Sequence, residues 1–189
     1  MNIYRLMHTI GLLFCHTGQS RAKYLKKHKV LYSIGNNCMT MSRSIPLYPK
    51  LISLGNNVWI ASNVNFATHD VIHKMLNNKF GCNEFQEHMG PILIQDNVFI
   101  GAGTRILSNV VIGANTVIAA GSLVNKSIPG NGVYGGVPAK YIGSLEDLIE
   151  RRRQESNNQY IQTKKGNLSD ENIEECWDRF KKLQGDLKK

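Results

Sequence analysis

The 189-residue sequence has no apolar run that approaches the ~18 residues needed to cross a bilayer. The apolar stretch at residues 7–15 is shorter and lacks a clear small-residue cleavage site, so no signal peptide is predicted. The cysteines, Cys15, Cys38, Cys82 and Cys176, are scattered and form no CxxC pair. We interpret them as reduced thiols of a cytoplasmic protein, not as a zinc site or a disulfide framework.

Acidic residues are also scarce relative to basic ones. The chain has 14 Asp and Glu against 23 Lys and Arg, a net charge of +9. Such a balance suits nucleic acid, anionic lipid or a polyphosphate such as a nucleotide cofactor, and charge alone does not choose among them. The length and the hydrophobic content of 42% are those of one globular domain with room for helical additions.

What the sequence does contain is a six-residue repeat between residues 92 and 128. A helix has a period of 3.6 residues and an alternating strand a period of 2, so neither produces a period of six. A fixed short repeat is typical of a solenoid, in which three hexapeptides here complete one coil of about 18 residues. We expect an aliphatic side chain to point inward at every sixth position: Ile94, Ile100, Ile106, Ile112, Ile118 and Val124. Each is followed four residues later by a second inward position, which holds a small or β-branched residue: Val98, Thr104, Val110, Thr116, Ser122 and Ile128.

The repeat divides the chain into predicted segments. Ser144 and Ser169 are placed to cap two helices near the end of the chain, with a turn at residues 162–167 between them. The prediction is therefore an all-β solenoid with flanking helices: an N-terminal helical and basic segment at 1–30, the repeat at 31–143, and a C-terminal helical extension at 144–189.

The N-terminal segment has two interpretations. Leu6, Ile10, Leu13 and Phe14 can share one face of a helix, and a basic cluster follows at residues 21–29. The segment could bind the surface of an anionic membrane, or it could pack across the open end of the solenoid with its basic residues in solvent. The second interpretation is favoured.

Residues 71–90 leave the repeat and are predicted to form an external loop. A loop of this length in a compact fold is usually functional. His69 lies directly after a repeat strand at the start of this loop, and Asp70 follows it. An imidazole can accept a proton at neutral pH and a carboxylate can orient its ring, so His69 is the candidate general base. A hydrogen-bonded loop histidine is the alternative.

Residues 34–143 resemble the hexapeptide-repeat acyltransferases, nearest to the sugar and capsular-polysaccharide O-acetyltransferases such as maltose and galactoside acetyltransferases. The resemblance is carried by LGNNVWIASNVNFATHD, by GPILIQDNVFIGAGTRILSNVVIGANTVIAAGSLVNKSIPGNGVYGGVPAKYIG, and by the insertion between them. It implies a left-handed parallel β-helix, a homotrimer with sites between subunits, acetyl-CoA as co-substrate and no metal. Phe99 departs from the galactoside-type pattern, which has Trp there.

The resemblance also implies residue roles. His69 would take the proton from a sugar hydroxyl, which attacks the thioester of acetyl-CoA directly. Backbone N–H groups near Ala102 would stabilise the oxyanion. The remaining matches concern the cofactor: Ala120, Asn125 and Lys126 at the pantetheine arm and the adenosine phosphates, and Lys140 at the phosphate end.

Several alternatives stay open at this point. The acceptor could be serine or an antibiotic of the streptogramin or chloramphenicol type. Less favoured are a γ-class carbonic anhydrase, with zinc on His69, His73 and His88, and a non-catalytic scaffold. The favoured partners are a small-molecule or saccharide acceptor and copies of the chain itself in a homotrimer, without nucleic acid.

Overall fold

The computed structural model describes residues 3–159 and 168–186. The predicted turn at 162–167 and the end of the predicted C-terminal segment at 187–189 lie outside the described residues. Short strands recur through the chain from residue 33 to residue 144. They are β1 Ser33–Ile34, β2 Met39–Thr40, β3 Ile52–Leu54, β4 Val58–Ile60, β5 Asn65–Ala67, β6 Ile92–Ile94, β7 Val98–Ile100, β8 Arg105–Leu107, β9 Val110–Ile112, β10 Thr116–Ile118, β11 Leu123–Val124, β12 Gly132–Gly135 and β13 Lys140–Ser144.

From β3 to β11, successive strands enter three sheets in turn. The first sheet has the order β1-β3-β6-β9, the second β13-β12-β10-β7-β4-β2 and the third β11-β8-β5. All pairs are parallel except β12 with β13. In the uninterrupted repeat, Ile94 pairs with Ile112 and Arg105 with Leu123, each 18 positions further on. The predicted 18-residue period is thus confirmed in the register.

The side chains that the repeat predicts to point inward form the core. A buried aliphatic side chain contributes roughly 1.5–3 kcal/mol, so a stacked column of them can hold the coils together. Where the buried partner is a hydroxyl, it bonds to backbone: Thr116 Oγ1 donates to Gly113 O at 2.7 Å. Every predicted inward residue is at most 5% exposed: Ile94, Ile100, Ile106, Ile112, Ile118, Val124, Val98, Thr104, Val110, Thr116, Ser122 and Ile128.

One corner of the coils carries a ladder of asparagines. Asn57, Asn97, Asn115 and Asn131 have φ between 50° and 57°, a left-handed conformation that asparagine tolerates better than most residues. Each donates its side-chain amide to the next, at 3.0 Å, 3.1 Å and 3.0 Å along the series. The recurring Asn of the sequence therefore serves both the turn and the bond between coils.

Two helices pack at the first coil. They are α1 Ile3–Leu13 and α2 Gly18–Lys27, and Thr17 with Ser20 forms a capping box at the start of α2. Arg21 is buried and donates Nε to Thr40 O at 3.0 Å and Nη1 to Cys15 O at 2.9 Å. These bonds hold α2 against β2.

The insertion contains a helix that the sequence did not predict, α3 Ile72–Phe80, which ends at Gly81 in the left-handed conformation. Further helices follow the sheets: α4 Leu145–Gln159 and α5 Asp170–Asp186. The caps predicted at Ser144 and Ser169 are confirmed, because each hydroxyl accepts a backbone N–H three residues later. Of the helices that the structure describes, none has the length and apolarity for a membrane span.

Candidate active site

His69 lies just beyond the carboxyl end of β5, where the chain leaves the coil. It forms an isolated antiparallel bridge with Met89 at the far end of the insertion. On either side of this bridge, Gly90 N donates to Thr68 O at 2.9 Å and Asp70 N to His88 O at 3.1 Å. The two ends of the insertion are thus joined beside His69, and the backbone of this residue is fixed.

The ring of His69 is positioned by an aromatic neighbour. Tyr48 meets it edge to face, with 5.0 Å between the ring centroids and 80° between the planes. The Tyr48 hydroxyl donates to Glu87 Oε1 at 2.9 Å. This hydrogen bond, followed by desolvation and the charge of Glu87, raises the pKa of Tyr48 above its usual value, so the phenol keeps its proton. Tyr48, from the irregular stretch before β3, and Glu87, from the insertion, therefore both contribute to the surroundings of His69.

Asp70 does not orient the His69 ring among the described residues. Its Oδ1 accepts the backbone N–H of Ile72 at 3.0 Å, a turn that holds the beginning of α3. Nδ1 of His69 and Nδ1 of His73 are buried without a hydrogen-bond partner in the described part of the chain, as is the hydroxyl of Thr68. Packing against Tyr48, rather than a carboxylate, sets the direction of the His69 imidazole here.

The three histidines at the insertion do not form a metal-binding group in the described residues. His73 lies on α3, and His88 is exposed with Nε2 at 3.4 Å from Asn109 Nδ2. Within residues 3–159 and 168–186, no three His, Cys, Asp or Glu side chains come together in a way that could hold a metal ion. The zinc alternative thus gains no geometric support.

A cleft of about 400 Å³ opens beside His69. Its wall includes Phe66 from β5, Ser44 and Pro46 from the irregular stretch before Tyr48, and Arg5 from α1. Both Nε and Nη2 of Arg5 donate to Ile45 O, so this guanidinium fixes the irregular stretch. Most of its lining is buried core of the first coils, including Leu25, Ile52 and Ile60, so the cavity by itself does not define an acceptor site.

Apart from Lys140, the candidate cofactor residues lie at the two edges of the third sheet where its strands begin and end. Because β5, β8 and β11 are parallel, their carboxyl ends meet at one edge. His69 follows β5 there, and Asn125 and Lys126 follow β11. Two strand spacings, about 10 Å, separate these positions along the edge. The structure therefore brings the candidate base and part of the candidate cofactor set to the same edge.

Ala102 and Ala120 lie at the opposite edge, in the turns before β8 and β11. Gly121 N, next to Ala120, donates to Ala102 O at 2.8 Å, so the two turns stack. A Cβ on Gly101 would lie 2.4 Å from Ala120 N, which explains the glycine there. Lys140 begins β13, and the preceding Ala139 N donates to Leu123 O at 2.8 Å, which draws Lys140 toward β11.

The sequence alone did not identify Tyr48 and Glu87. Tyr48 belongs to an aperiodic stretch, and Glu87 to an insertion whose path follows no repeat. Residues 41–50 contain Pro46 and Pro49, which a regular strand ladder does not accommodate, and this irregularity was the only sequence feature near Tyr48. Nothing in the sequence paired the two residues.

Comparison with known proteins supports the repeat and its family. The family "Bacterial transferase hexapeptide (six repeats)" matches residues 91–126. Protein CapG of Staphylococcus aureus is 39% identical over 124 residues, which are 64% of this chain and 70% of CapG. The galactoside O-acetyltransferase of Escherichia coli (strain K12) is 40% identical over 98 residues, 51% of this chain and 45% of that enzyme. The chain belongs to the family of hexapeptide-repeat transferases.

Solved structures add a similar fold. A galactoside acetyltransferase in complex with coenzyme A superposes with a TM-score of 0.52 at 27% identity, covering 77% of this chain and 82% of that one. The chain spans about half the length of the first curated relatives that it matches, 45% and 55%.

Proposed function

We propose that this protein is an acetyl-CoA-dependent O-acetyltransferase that acetylates a hydroxyl of a sugar or of a surface-polysaccharide precursor. The observation that carries the proposal is His69, whose backbone is fixed beside the bridge to Met89 and whose ring packs against Tyr48. Similarity to the Escherichia coli galactoside O-acetyltransferase supports a sugar acceptor. The neighbouring structure with coenzyme A supports the same co-substrate here.

In the proposed reaction, His69 accepts the proton of the acceptor hydroxyl while the hydroxyl oxygen attacks the thioester carbonyl. Backbone N–H groups near Ala102 stabilise the oxyanion of the tetrahedral intermediate. As this intermediate collapses, the C–S bond breaks, and His69 returns its proton to the departing thiolate of CoA. No acyl-enzyme forms, so no cysteine or serine nucleophile is needed.

The assembly and the winding of the chain belong to the same proposal. The three parallel sheets coil left-handed, and three copies associate so that each site lies between two subunits. Ala120, Asn125, Lys126 and Lys140 hold the pantetheine arm and the phosphates. Exposed Lys126 and Lys140 suit a polyanionic ligand, because ammonium groups form charge-assisted hydrogen bonds with phosphate.

The proposal is tested by the release of free thiol from acetyl-CoA. Purified protein is incubated with a panel of simple sugars, nucleotide sugars, serine, chloramphenicol and a streptogramin. His69→Ala should lower turnover at least about a hundredfold with little change in CoA affinity, since only the proton transfer is lost. His16→Ala, an exposed histidine between α1 and α2, is the matched control and should keep its rate.

Each outcome distinguishes among the alternatives. CoA release with sugars alone supports the proposed acceptor class, whereas release with serine or an antibiotic keeps the reaction and changes the acceptor. A near-normal rate for His69→Ala removes His69 from the role of base. Absence of both CoA release and CoA binding contradicts the enzyme and leaves a scaffold, and zinc retained on purification points to the carbonic anhydrase alternative.

A further inference from the structure

The outer face of α1 is apolar and uncovered. Ile3, Met7, Ile10 and Phe14 are 74%, 64%, 46% and 77% exposed. Spacings of four and three residues put Ile3, Met7 and Ile10 on one side of the helix, and Phe14 follows directly after its last residue. The opposite side packs inward, because Leu12 is 1% exposed. The predicted packing across the first coil therefore uses only one side of α1.

The part of the chain that carries this apolar face is basic. Residues 1–69 contain eight Lys and Arg and no Asp or Glu, so the first acidic residue is Asp70. Lys23, Lys27 and Lys29 are exposed on and just after α2. In the described residues the ion pairs all lie on α4 and α5, so these lysines are not neutralised by carboxylates.

We propose that α1 lies flat on an anionic lipid bilayer, with its outer face among the acyl chains and the α2 lysines against the lipid phosphates. A helix of 11 residues is too short to span a bilayer, whereas an exposed apolar face on a short helix suits the interface plane. A stable attachment of this kind requires two contributions, buried apolar area and attraction to anionic lipid. Both are present within residues 3–29.

Charge decides between a lipid surface and a second copy of the chain as the occupant. Two copies joined through α1 would bring two acid-free, basic helical pairs together, and their like charges would repel. An anionic surface instead attracts Lys23, Lys27 and Lys29. The same helices that close the first coil therefore carry a membrane-facing surface, independently of the proposed reaction.

Flotation with vesicles tests the apolar contribution. Full-length protein is mixed with vesicles of phosphatidylcholine alone, or of phosphatidylcholine with phosphatidylglycerol at three to one, at low salt. We expect flotation only with the anionic vesicles. Met7→Glu/Ile10→Glu should lower the bound fraction at least about tenfold, because two carboxylates then enter the acyl region. Ile72→Glu/Met75→Glu, equally spaced and exposed on α3, is the matched control and should bind as the unaltered protein does.

The basic contribution has its own variants. Lys23→Gln/Lys27→Gln should weaken binding to anionic vesicles severalfold, while Lys74→Gln/Lys79→Gln removes the same charge from α3 and should not. Absence of flotation, equal binding to neutral vesicles, or an equal loss in either control pair would overturn the proposal. The proposal would also be overturned if the protein bound no vesicles and size-exclusion chromatography showed a self-associated species that Met7→Glu/Ile10→Glu dissociates. The apolar face of α1 would then be an interface between copies.

Discussion

At the scale of single residues, the contact between Tyr48 and His69 is the most direct constraint on the proposed base. The two rings meet edge to face, and the Tyr48 hydroxyl is occupied by Glu87. Tyr48→Phe keeps the ring and should leave kcat within about threefold, whereas Tyr48→Ala should lower kcat about tenfold or more through a misplaced base. Steady-state kinetics measure both variants. Equal losses in kcat would assign the effect to the hydroxyl instead of the ring.

Lys140 permits a second test at this scale. If the Lys140 ammonium contacts the 3′-phosphate of CoA, Lys140→Ala should weaken the binding of CoA about tenfold and leave the binding of dephospho-CoA nearly unchanged. Only CoA has the 3′-phosphate, so only its complex loses a charge-assisted hydrogen bond. Isothermal titration at fixed salt provides both dissociation constants. Lys74→Ala on α3 controls for the loss of one positive charge. If the binding of both ligands weakened equally, Lys140 would not contact the 3′-phosphate.

At the scale of elements, the asparagine ladder links one coil to the next. Asn97→Ala removes two exposed amide bonds and puts a Cβ without a polar group at a φ of 57°, so it should lower the free energy of unfolding by about 1–2 kcal/mol. Asn97→Gly loses the same hydrogen bonds, but glycine adopts this positive φ without strain. It should therefore lower the free energy of unfolding by about 1 kcal/mol less than Asn97→Ala does. Urea unfolding at one protein concentration measures the difference.

The matched control for the ladder is Asn78→Ala on α3, which is exposed in an ordinary helical conformation. It should change the free energy of unfolding by no more than about 0.5 kcal/mol. If Asn97→Gly proves as destabilising as Asn97→Ala, the amide bonds alone matter, and the left-handed turn does not select asparagine at this corner.

The repeat could be predicted from the sequence because stacking imposes it locally. Each inward position, such as Ile100 or Ile112, must match the one a coil away, so the constraint is visible as a period. The surroundings of His69 follow no period. Tyr48 and Glu87 meet across 39 positions through an irregular stretch and an insertion, and only the folded chain brings them together. For the same reason the helix α3 was missed within residues 71–90.

At the scale of the whole molecule, the charge is unevenly distributed along the chain. All 14 acidic residues lie at or after Asp70, while the first 69 residues are basic. The proposed acetyl-CoA contacts lie between Ala102 and Lys140, beyond the acid-free part. Binding of CoA and binding of a lipid surface can therefore be altered separately, by Lys140→Ala and by Met7→Glu/Ile10→Glu.

The proposed sharing of each site between subunits can be tested with two inactive variants. His69→Ala lacks the base, and Ala120→Trp would block the pantetheine arm at an exposed turn. If His69 of one subunit serves the cofactor bound on its neighbour, random trimers from equal co-expression should recover about a quarter of the unaltered activity, because one site in four then has both functional parts in a ring of three. Each variant purified alone should remain inactive. If the site lay within one chain, every site would keep one defective part and the mixture would be as inactive as its components.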